Sequence, residues 1–429
     1  MPEPDVLQRM RADWNERAGE DAYYYVAFGR REQDTDEFFS SASHVLPALL
    51  PELARLRERN AALEIGCGPG RLLKPMSTHF AEVHGVDISD EMIKLARERL
   101  RGIPNAFPHH GTGSDLALFG DGTFDFVYSY AVFQHIPSRE VVFNYLREAH
   151  RVLKTGGILR CQVNGLPPHA RQYDTWSGVR ISADDLRSFA REYDFQLLAL
   201  DGIWTQYMWI TCRKMPAGWE TRAREAAQPG AVLRSISNAH TGEAVVPSSG
   251  PLAAMSLWIQ DLPEDCDLNH LEVTADGKPC RLSYLGEAAR DGVSQLNAAL
   301  PEGIRTGFVA VDVRRGGSPV CPTGWVRVMP AGPAVPRVWA VMDGVNLLSG
   351  TRILSGAVKV TMAEVERPDE FHATIDGKAV RDIEHFCVDP LPMHYEFNFL
   401  LPERLAAGPH TLVLTLGKRT FAPVGIEVA

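Results

Sequence analysis

The feature that most constrains this chain is a glycine cluster placed directly after a short apolar run. The run is Ala61–Ile65, and Gly66, Gly68 and Gly70 follow it at alternate positions. A short apolar run is typical of a strand buried in a parallel sheet. Glycine lets the backbone turn sharply and approach a ligand closely, and Pro69 suits the first turn of a helix. The segment therefore predicts the strand, loop and helix of a nucleotide-binding sheet.

Strand-like and helical segments alternate through the first half of the chain. Met92, Ala96 and Leu100 recur at helical spacing, and Ser89 fits the N-cap of that helix. This order predicts an α/β fold with a doubly wound, mostly parallel, Rossmann-like sheet that has helices on both faces. The later strands are predicted at 83–86, 124–128, 158–163, 195–200 and 207–212, and helices at 138–154 and 183–193.

The second half of the chain contains an internal repeat. The Asp-Gly-Lys triplet at 276–278 recurs at 376–378, and Leu-Pro-Glu at 300–302 recurs at 401–403. Period-two alternation around both copies marks half-buried antiparallel strands, and Asp-Gly is a hairpin signal. We therefore expect domains at 1–215, 216–330 and 334–429, the last two being all-β sandwiches of immunoglobulin-like size. A single β domain with a shared sheet is the alternative.

Two features separate the ligand classes that use such a glycine loop. Asp87 lies nineteen residues after Gly68, at the end of the second strand, where a carboxylate can accept hydrogen bonds from ribose hydroxyls. The dinucleotide pattern G-x-G-x-x-G would need glycine where Arg71 stands. Glu64, just before the loop, disfavours a doubly negative pyrophosphate but tolerates a ligand that carries an ammonium and a sulfonium.

These residues resemble the glycine-rich motif of class I S-adenosylmethionine-dependent methyltransferases, of the type-11-like group. The resemblance covers roughly residues 20–215 and includes the stretches 113–130, 133–137 and 152–157. It implies S-adenosylmethionine as the cofactor, with the glycine loop against its methionine part. It also implies Asp115 at the adenine, although the family often has an acid where Gly113 stands. The implied cofactor-binding residues are Glu64, Gly66, Cys67, Gly68, Gly70, Arg71, Asp87, Ile88, Met92, Ser114, Asp115, Leu116, Ser129, Tyr130 and Gln134.

The resemblance also implies the type of reaction. A methyl group on a sulfonium is already electrophilic, so transfer is an in-line displacement in which positioning matters most. A hydroxyl acceptor must lose its proton, and His135 is the first candidate base, with a tyrosine or water second. A packing role for His135 is the alternative, and an unprotonated amine would need no strong base. The candidate acceptor-pocket residues are Tyr24, Tyr25, Tyr173 and Trp176.

Composition narrows the set of partners. The chain has 44 basic and 54 acidic side chains and a formal net charge of −10, so we expect neither nucleic acid nor a membrane as a partner. Seven scattered cysteines, an odd number without a Cys-x-x-Cys pair, argue against a disulfide framework or a cysteine zinc site. We therefore expect a cytoplasmic protein without a metal site.

Four functions follow from these residues. The first is O- or N-methylation of a small-molecule or glycan acceptor. In the second, the β modules bind a glycan or a protein partner and a polymeric acceptor is methylated. The third is an inactive scaffold, against which the intact Glu64 and Asp87 argue, and the fourth is NAD-dependent oxidoreduction, which Arg71 disfavours. Association of copies through the β modules is the expected route to a homo-oligomer.

Overall fold

The computed structural model describes residues 4–27, 34–168, 173–221, 230–286, 291–332, 334–347, 350–389, 393–403 and 405–429. By its internal contacts the chain forms two compact units. The first comprises Met1–Ala22 and Thr35–Ala331, and the second comprises Tyr23–Asp34 and Gly332–Ala429.

The helices belong mostly to the first unit. Several begin at serine N-caps, as the sequence predicts: Ser89 Oγ accepts the Met92 N–H at 3.1 Å, and Ser182 forms a reciprocal capping box with Asp185. Within the described ranges, no helix is both long and apolar enough to cross a bilayer. The α-helices are α1 Pro4–Ala27, α2 Thr35–Ser40, α3 Leu46–Leu49, α4 Leu73–Met76, α5 Asp90–Arg99, α6 Arg139–Val152 and α7 Ala183–Glu192, and 3-10 turns lie at Ser41–His44, Leu50–Arg55, Phe133–His135 and Pro368–Glu370.

The first seven strands form a Rossmann-like sheet, which confirms the predicted fold of the N-terminal part. Their order is β3-β2-β1-β4-β5-β7-β6, with β1 to β5 parallel and β7 antiparallel to both β5 and β6. The carboxyl ends of β1, β2 and β4 therefore meet at one edge, where ligands bind in such sheets. The strands are β1 Ala61–Ile65, β2 Glu82–Asp87, β3 Ala106–His110, β4 Phe124–Ser129, β5 Leu153–Val163, β6 Phe195–Asp201 and β7 Met208–Lys214.

One boundary differs from the prediction. Strand β5 begins at Leu153, five residues before the predicted start at Ile158, and α6 ends at Val152. The pairing of β4 with β5 shifts between Phe124 and Phe126, so the Gly156 stretch, with φ of +88° at Gly156, is a bulge inside a strand. The sequence signal of two glycines marks this bulge and not the end of a helix.

The remaining strands carry the repeat. The ten strands described in the first copy recur in the second in the same pairing order. β8-β10-β14-β13 matches β18-β20-β24-β23, β9-β17-β15-β11-β12 matches β19-β27-β25-β21-β22, and β16, which pairs with β15, matches β26, which pairs with β25. The first copy consists of β8 Val232–Asn238, β9 Val245–Pro247, β10 Ala254–Gln260, β11 Leu271–Ala275, β12 Lys278–Pro279, β13 Arg281–Leu285, β14 Val293–Ala299, β15 Gly307–Arg315, β16 Ser318–Pro319 and β17 Gly324–Met329. The second consists of β18 Arg337–Asp343, β19 Arg352–Ile353, β20 Ala357–Ala363, β21 Phe371–Ile375, β22 Lys378–Ala379, β23 Arg381–Asp389, β24 His394–Leu400, β25 Gly408–Leu416, β26 Arg419–Thr420 and β27 Val424–Val428.

Both Asp-Gly pairs form the predicted hairpin turns. Asp276 and Asp376 adopt positive φ values of 45° and 49°, and each turn joins a pair of antiparallel strands. In the second copy, both sheets contribute to one apolar core that includes Val360, Phe397 and Leu414. Two sheets around one core are consistent with a β-sandwich, and its immunoglobulin-like character stays a prediction.

The first repeat joins the Rossmann-like sheet. Within the described ranges, β6 pairs with β13 through Ala199 and Tyr284, and one sheet of 11 strands results. A buried hydrogen bond reinforces this junction, since the Leu197 N–H donates to Asp267 at 3.0 Å. The first compact unit therefore includes Thr35–Ala331, on both sides of residue 215, and the division into three domains stays a prediction.

Candidate functional site

The glycine loop forms a tight turn at the carboxyl edge of the sheet. Gly66, Gly68 and Gly70 have φ values of +75°, +50° and +87°, in the region that side-chain-bearing residues rarely adopt. A Cβ added to Gly66 would lie 2.4 Å from the Val132 side chain, so the close approach of the loop after β4 also requires glycine. Cys67 lies beneath, is 2% exposed, and its pKa is raised by burial. It is a packing residue of the loop.

Asp87 closes the loop from the end of β2. Its Oδ2 accepts the Gly68 N–H at 2.9 Å, and its Oδ1 accepts the Ser89 N–H at 2.9 Å. A carboxylate has about four acceptor positions, so two remain for other donors such as ribose hydroxyls. Burial raises the pKa of Asp87 above its usual value, against the lowering effect of the neighbouring backbone N–H groups and of His110. The strand-two acid thus has both the position and the free acceptor capacity that the resemblance implies.

Glu64 supplies a second carboxyl group beneath the loop. It is 3% exposed and accepts a hydrogen bond from the Tyr128 hydroxyl at 3.3 Å. Burial raises the pKa of Glu64 well above its usual value, and the neighbouring charges of Arg71 and Asp87 act in opposite directions. A cationic group placed here would favour the ionised carboxylate, whereas a pyrophosphate would repel it. The charge pattern therefore fits an ammonium-bearing ligand.

Two buried polar atoms beside the loop have no hydrogen-bond partner among the residues that the structure describes. They are Nε of Arg71 and Oε1 of Gln134, and both side chains are less than a tenth exposed. Arg71 donates through Nη1 to Ser41 Oγ at 3.2 Å. A buried polar group without a partner costs about 1–3 kcal/mol, so a polar ligand that pairs with these atoms would be stabilised. This observation supports the fit of a zwitterionic cofactor at this edge.

The predicted adenine region is packed more tightly than the resemblance implies. Leu116 and Met92 are 0% and 1% exposed and belong to the core, and Ser114 is buried. Asp115 is half-buried and its Oδ1 accepts the Ala117 N–H at 3.1 Å. A Cβ on Gly113 would lie 2.1 Å from Ile88 Cδ1, which explains why no acid stands at that position. Ile88 itself is 9% exposed and forms the wall between the two loops.

Tyr145 is a residue of this region that sequence reasoning missed. It lies on α6, is 6% exposed and stacks on Phe133 with ring centroids 5.9 Å apart. Its pKa is raised by burial, and the charges of Asp87 and Asp115 raise it further. The signal in the sequence was an aromatic residue on the sheet-facing side of a helix, which is usually only core.

The end of β4 and the two residues after it differ in burial and in their contacts. Ser129 is fully buried, and its Oγ donates to the Ile65 carbonyl at 2.8 Å, so it joins β4 to β1. Tyr130 is half-buried and stacks on Trp209 at a centroid distance of 5.9 Å. Ala131 follows with a φ of +56°, and its N–H donates to Gln162 Oε1 at 3.2 Å.

His135 lies in an aromatic pocket built by two distant segments. It is 6% exposed, its Nδ1 lies 3.1 Å from the Trp176 carbonyl, and its ring meets Trp14 edge-on at 5.6 Å. Since a carbonyl only accepts, Nδ1 carries the proton and Nε2 is the basic nitrogen. Burial, together with the positive charge of Arg17, lowers the pKa of His135 to about 4. The imidazole is therefore neutral at pH 7 and is a weak base.

Helix α1 fastens the loop that carries Trp176, which the sequence did not reveal. Arg17 donates to the carbonyl and to Oγ1 of Thr175, both at 3.1 Å, and Asp13 accepts from the same hydroxyl. Asn15 Oδ1 accepts from Ser89 Oγ at 2.6 Å. One helix therefore contacts both the ribose-acid turn and the predicted acceptor loop.

The four predicted acceptor residues belong to two different compact units. Trp176 is 52% exposed beside His135, and Tyr173 is half-buried against the core of the first unit. Tyr24 and Tyr25 form an edge-on pair 5.2 Å apart and belong to the second compact unit. The acceptor role of Tyr24 and Tyr25 therefore stays a prediction.

Comparison with known proteins supports a methyltransferase domain. Residues 63–161 match a family model described as a methyltransferase domain. Phosphoethanolamine N-methyltransferase 2 of Caenorhabditis elegans is 34% identical over 97 residues, which are 22% of this chain and 22% of that protein. Demethylmenaquinone methyltransferase of Staphylococcus aureus is 30% identical over 115 residues, 26% of this chain and 46% of that protein. The match thus spans less than half the length of both relatives.

Among solved structures, the YcgJ protein of Bacillus subtilis aligns with a TM-score of 0.32 and 23% identity, over 37% of this chain and 70% of that one. The matched stretch of the family model begins two residues into β1 and ends within β5. It includes the glycine loop, Asp87 and His135, which are the residues on which the resemblance rests.

Proposed function

We propose that the protein transfers a methyl group from S-adenosylmethionine to an oxygen or nitrogen acceptor. The observation that carries this proposal is the closure of the glycine loop on Asp87, with the buried Glu64 beneath it. The match of residues 63–161 to a methyltransferase domain supports it.

Three groups of this chain would hold the cofactor. Asp87 would accept hydrogen bonds from the ribose hydroxyls, and Glu64 would pair with the ammonium. Arg71 Nε and Gln134 Oε1, which lack partners, would meet the polar atoms of its methionine part. When bound, the cofactor supplies a methyl group on a sulfonium, an electrophile that needs no further activation.

His135 and the segments around it would position the acceptor. With a pKa of about 4, His135 matches general-base work at pH 7 poorly, because efficient bases have pKa values near the working pH. We assign it to orienting the Trp176 loop through its Nδ1–H, while its Nε2 can accept a hydrogen bond from an acceptor. An amine would enter unprotonated, and a hydroxyl would lose its proton to water.

The partners of this reaction are also proposals. A small molecule is the acceptor that the half-open aromatic pocket favours, with a glycan as the alternative. All seven cysteines are free thiols, which supports a cytoplasmic, reducing environment. The net charge of −10 disfavours nucleic acid and anionic membranes as partners.

Calorimetry with the full chain tests the proposal. We expect S-adenosylmethionine and S-adenosylhomocysteine to bind and NAD not to bind. Binding of NAD alone would favour the dehydrogenase hypothesis, and binding of none of the three would favour the scaffold.

A glycan-binding role of the first repeat is the second candidate. Phe308 and Trp325 are 65% and 62% exposed on neighbouring strands of one sheet, and Phe308 is opposite Arg327. Large contiguous apolar patches are rare on monomers and often mark a binding surface, and these two rings are the centre of a candidate patch. A glycan array with the full chain and with Trp325→Ala tests this role, and equal binding by both would exclude this face.

A further inference from the structure

The edge of the sheet beyond β4 has a set of aromatic residues that the cofactor loop does not use. Strands β5 and β7 pair so that Gln162 faces Trp209, while Asp201 at the end of β6 faces the same Trp209 from the other side. Tyr130 follows β4 directly. The ends of β4, β5 and β6 and the start of β7 therefore lie at the same edge of the sheet as the glycine loop that follows β1.

The rings of Tyr130 and Trp209 already pack against each other and against two arginines. The two rings stack on each other at 5.9 Å with 26° between their planes. The guanidinium carbon of Arg71 lies 5.7 Å from the Tyr130 ring centre, and that of Arg160 lies 4.4 Å from the Trp209 ring centre. Each ring thus packs against the other ring and against one arginine. The two guanidinium groups give this stack a positive charge that repels a further cation.

Trp204 differs from these two residues, because among the described residues no ring or cation packs against its ring. It lies in the loop between β6 and β7, is 59% exposed and has a φ of +71°. A bulky residue in this region is a genuine outlier, and it persists only where the surrounding structure enforces it. Thr205 enforces it here, since its side chain and backbone both bond to Gly202 O, at 2.7 and 3.1 Å.

The loop between β6 and β7 is also hydrogen-bonded to the segment that follows β5. Thr205 is 2% exposed, and its carbonyl accepts the Gly165 N–H at 2.9 Å, two residues after β5 ends. Strained backbone of this kind concentrates at ligand clamps, where the surrounding structure maintains it.

We propose that Trp204 determines acceptor specificity by stacking on a planar, uncharged or anionic ring of the methyl acceptor. The proposal rests on the proposed function and names its substrate class. Cationic acceptors are disfavoured because Arg71 and Arg160 already lie against the rings of Tyr130 and Trp209, and their positive charges repel an ammonium. The exposed ring of Trp204 can stack on a planar ring of the acceptor, as aromatic side chains stack on bases.

Binding measurements on the full chain saturated with S-adenosylhomocysteine test the proposal. The probes are 2-naphthol, its saturated analogue decahydro-2-naphthol, and choline. Trp204→Asn removes the ring and tolerates a positive φ, Trp204→Phe keeps a ring, and Trp339→Asn is the matched control, because Trp339 is 64% exposed in the second unit.

We expect 2-naphthol to bind the wild type about tenfold more tightly than either other probe, in line with typical stacking energies. Trp204→Asn should weaken 2-naphthol binding about tenfold, while Trp204→Phe and Trp339→Asn stay within about threefold of the wild type. Trp204→Asn should melt at or above the wild-type temperature, because the backbone strain is relieved.

Unchanged 2-naphthol binding in Trp204→Asn overturns the proposal, as does choline binding that equals 2-naphthol binding or a wild type that binds no probe. Affinity for S-adenosylhomocysteine distinguishes failure of the specificity proposal from failure of the proposed function. If it persists in every variant while the Trp204 effect is absent, only the specificity proposal fails. If the wild type does not bind it, the proposed function fails as well.

Discussion

Asp87→Ala is the substitution that most sharply tests the cofactor site. The side chain would lose its two remaining acceptor positions, those that ribose hydroxyls would use, and its bonds to the Gly68 and Ser89 N–H groups at 2.9 Å each. Hydrogen bonds to an ionised group contribute about 1–2 kcal/mol each at the cautious end, so two ribose bonds contribute about 2–4 kcal/mol. The dissociation constant for S-adenosylhomocysteine should therefore rise about 30- to 1,000-fold.

Calorimetric titration of the full chain measures this change directly. Asp90→Ala is the matched control, since Asp90 is exposed three residues further on and pairs with His110 at the surface. Asp87→Asn keeps one acceptor oxygen and should lie between Ala and the wild type. An affinity of Asp87→Ala within about threefold of the wild type, with an unchanged melting temperature, would refute the assignment of Asp87 to the ribose.

Three further predictions concern charge and packing. Because burial raises the pKa of Glu64 well above its usual value, affinity for S-adenosylmethionine should rise with pH as this carboxyl ionises; Glu64→Gln should flatten that profile, and a flat wild-type profile between pH 5 and 8 would contradict the ammonium pairing. Folding lowers the pKa of His135 from 6.5 to about 4, so the stability that this residue contributes is present above pH 6.5 and is lost as the pH falls towards 4. In urea titrations, His135→Gln should reduce this loss by up to about 3 kcal/mol. The same variant should lower the methylation rate less than tenfold once an acceptor is identified. Gly66→Ala should destabilise by about 2 kcal/mol or more through contact with Val132, whereas Gly122→Ala, with a φ of +60° and open space, should cost only about 1 kcal/mol; equal losses in thermal melts would remove the steric argument.

The Rossmann-like part was predictable because its signals are local. A continuous apolar run at Ala61–Ile65 and the glycines after it fix the strand and the loop, and Asp87 follows at a set distance. The repeat was predictable for the same reason, since each Asp-Gly turn is encoded within four residues. The start of β5 was missed because a bulge at Gly156 and a helix stop have the same sequence signal.

The features that escaped prediction all depend on long-range contacts. The sheet continues into the first repeat through the pair Ala199 and Tyr284, which periodicity cannot encode. Arg17 and Thr175 are 158 residues apart in the chain, yet they fasten the loop beside His135. The low pKa of His135 follows from that enclosure, whereas the sequence left a base and a packing role for this residue both open.

Co-crystallisation of the full chain with S-adenosylhomocysteine tests the central claim most directly. The account predicts density at the carboxyl edge of β1, β2 and β4, with both ribose hydroxyls about 2.5–3.0 Å from the Asp87 carboxylate and the amino group towards Glu64. Density elsewhere on the protein, or a pyrophosphate-containing nucleotide carried through purification in this place, would contradict it.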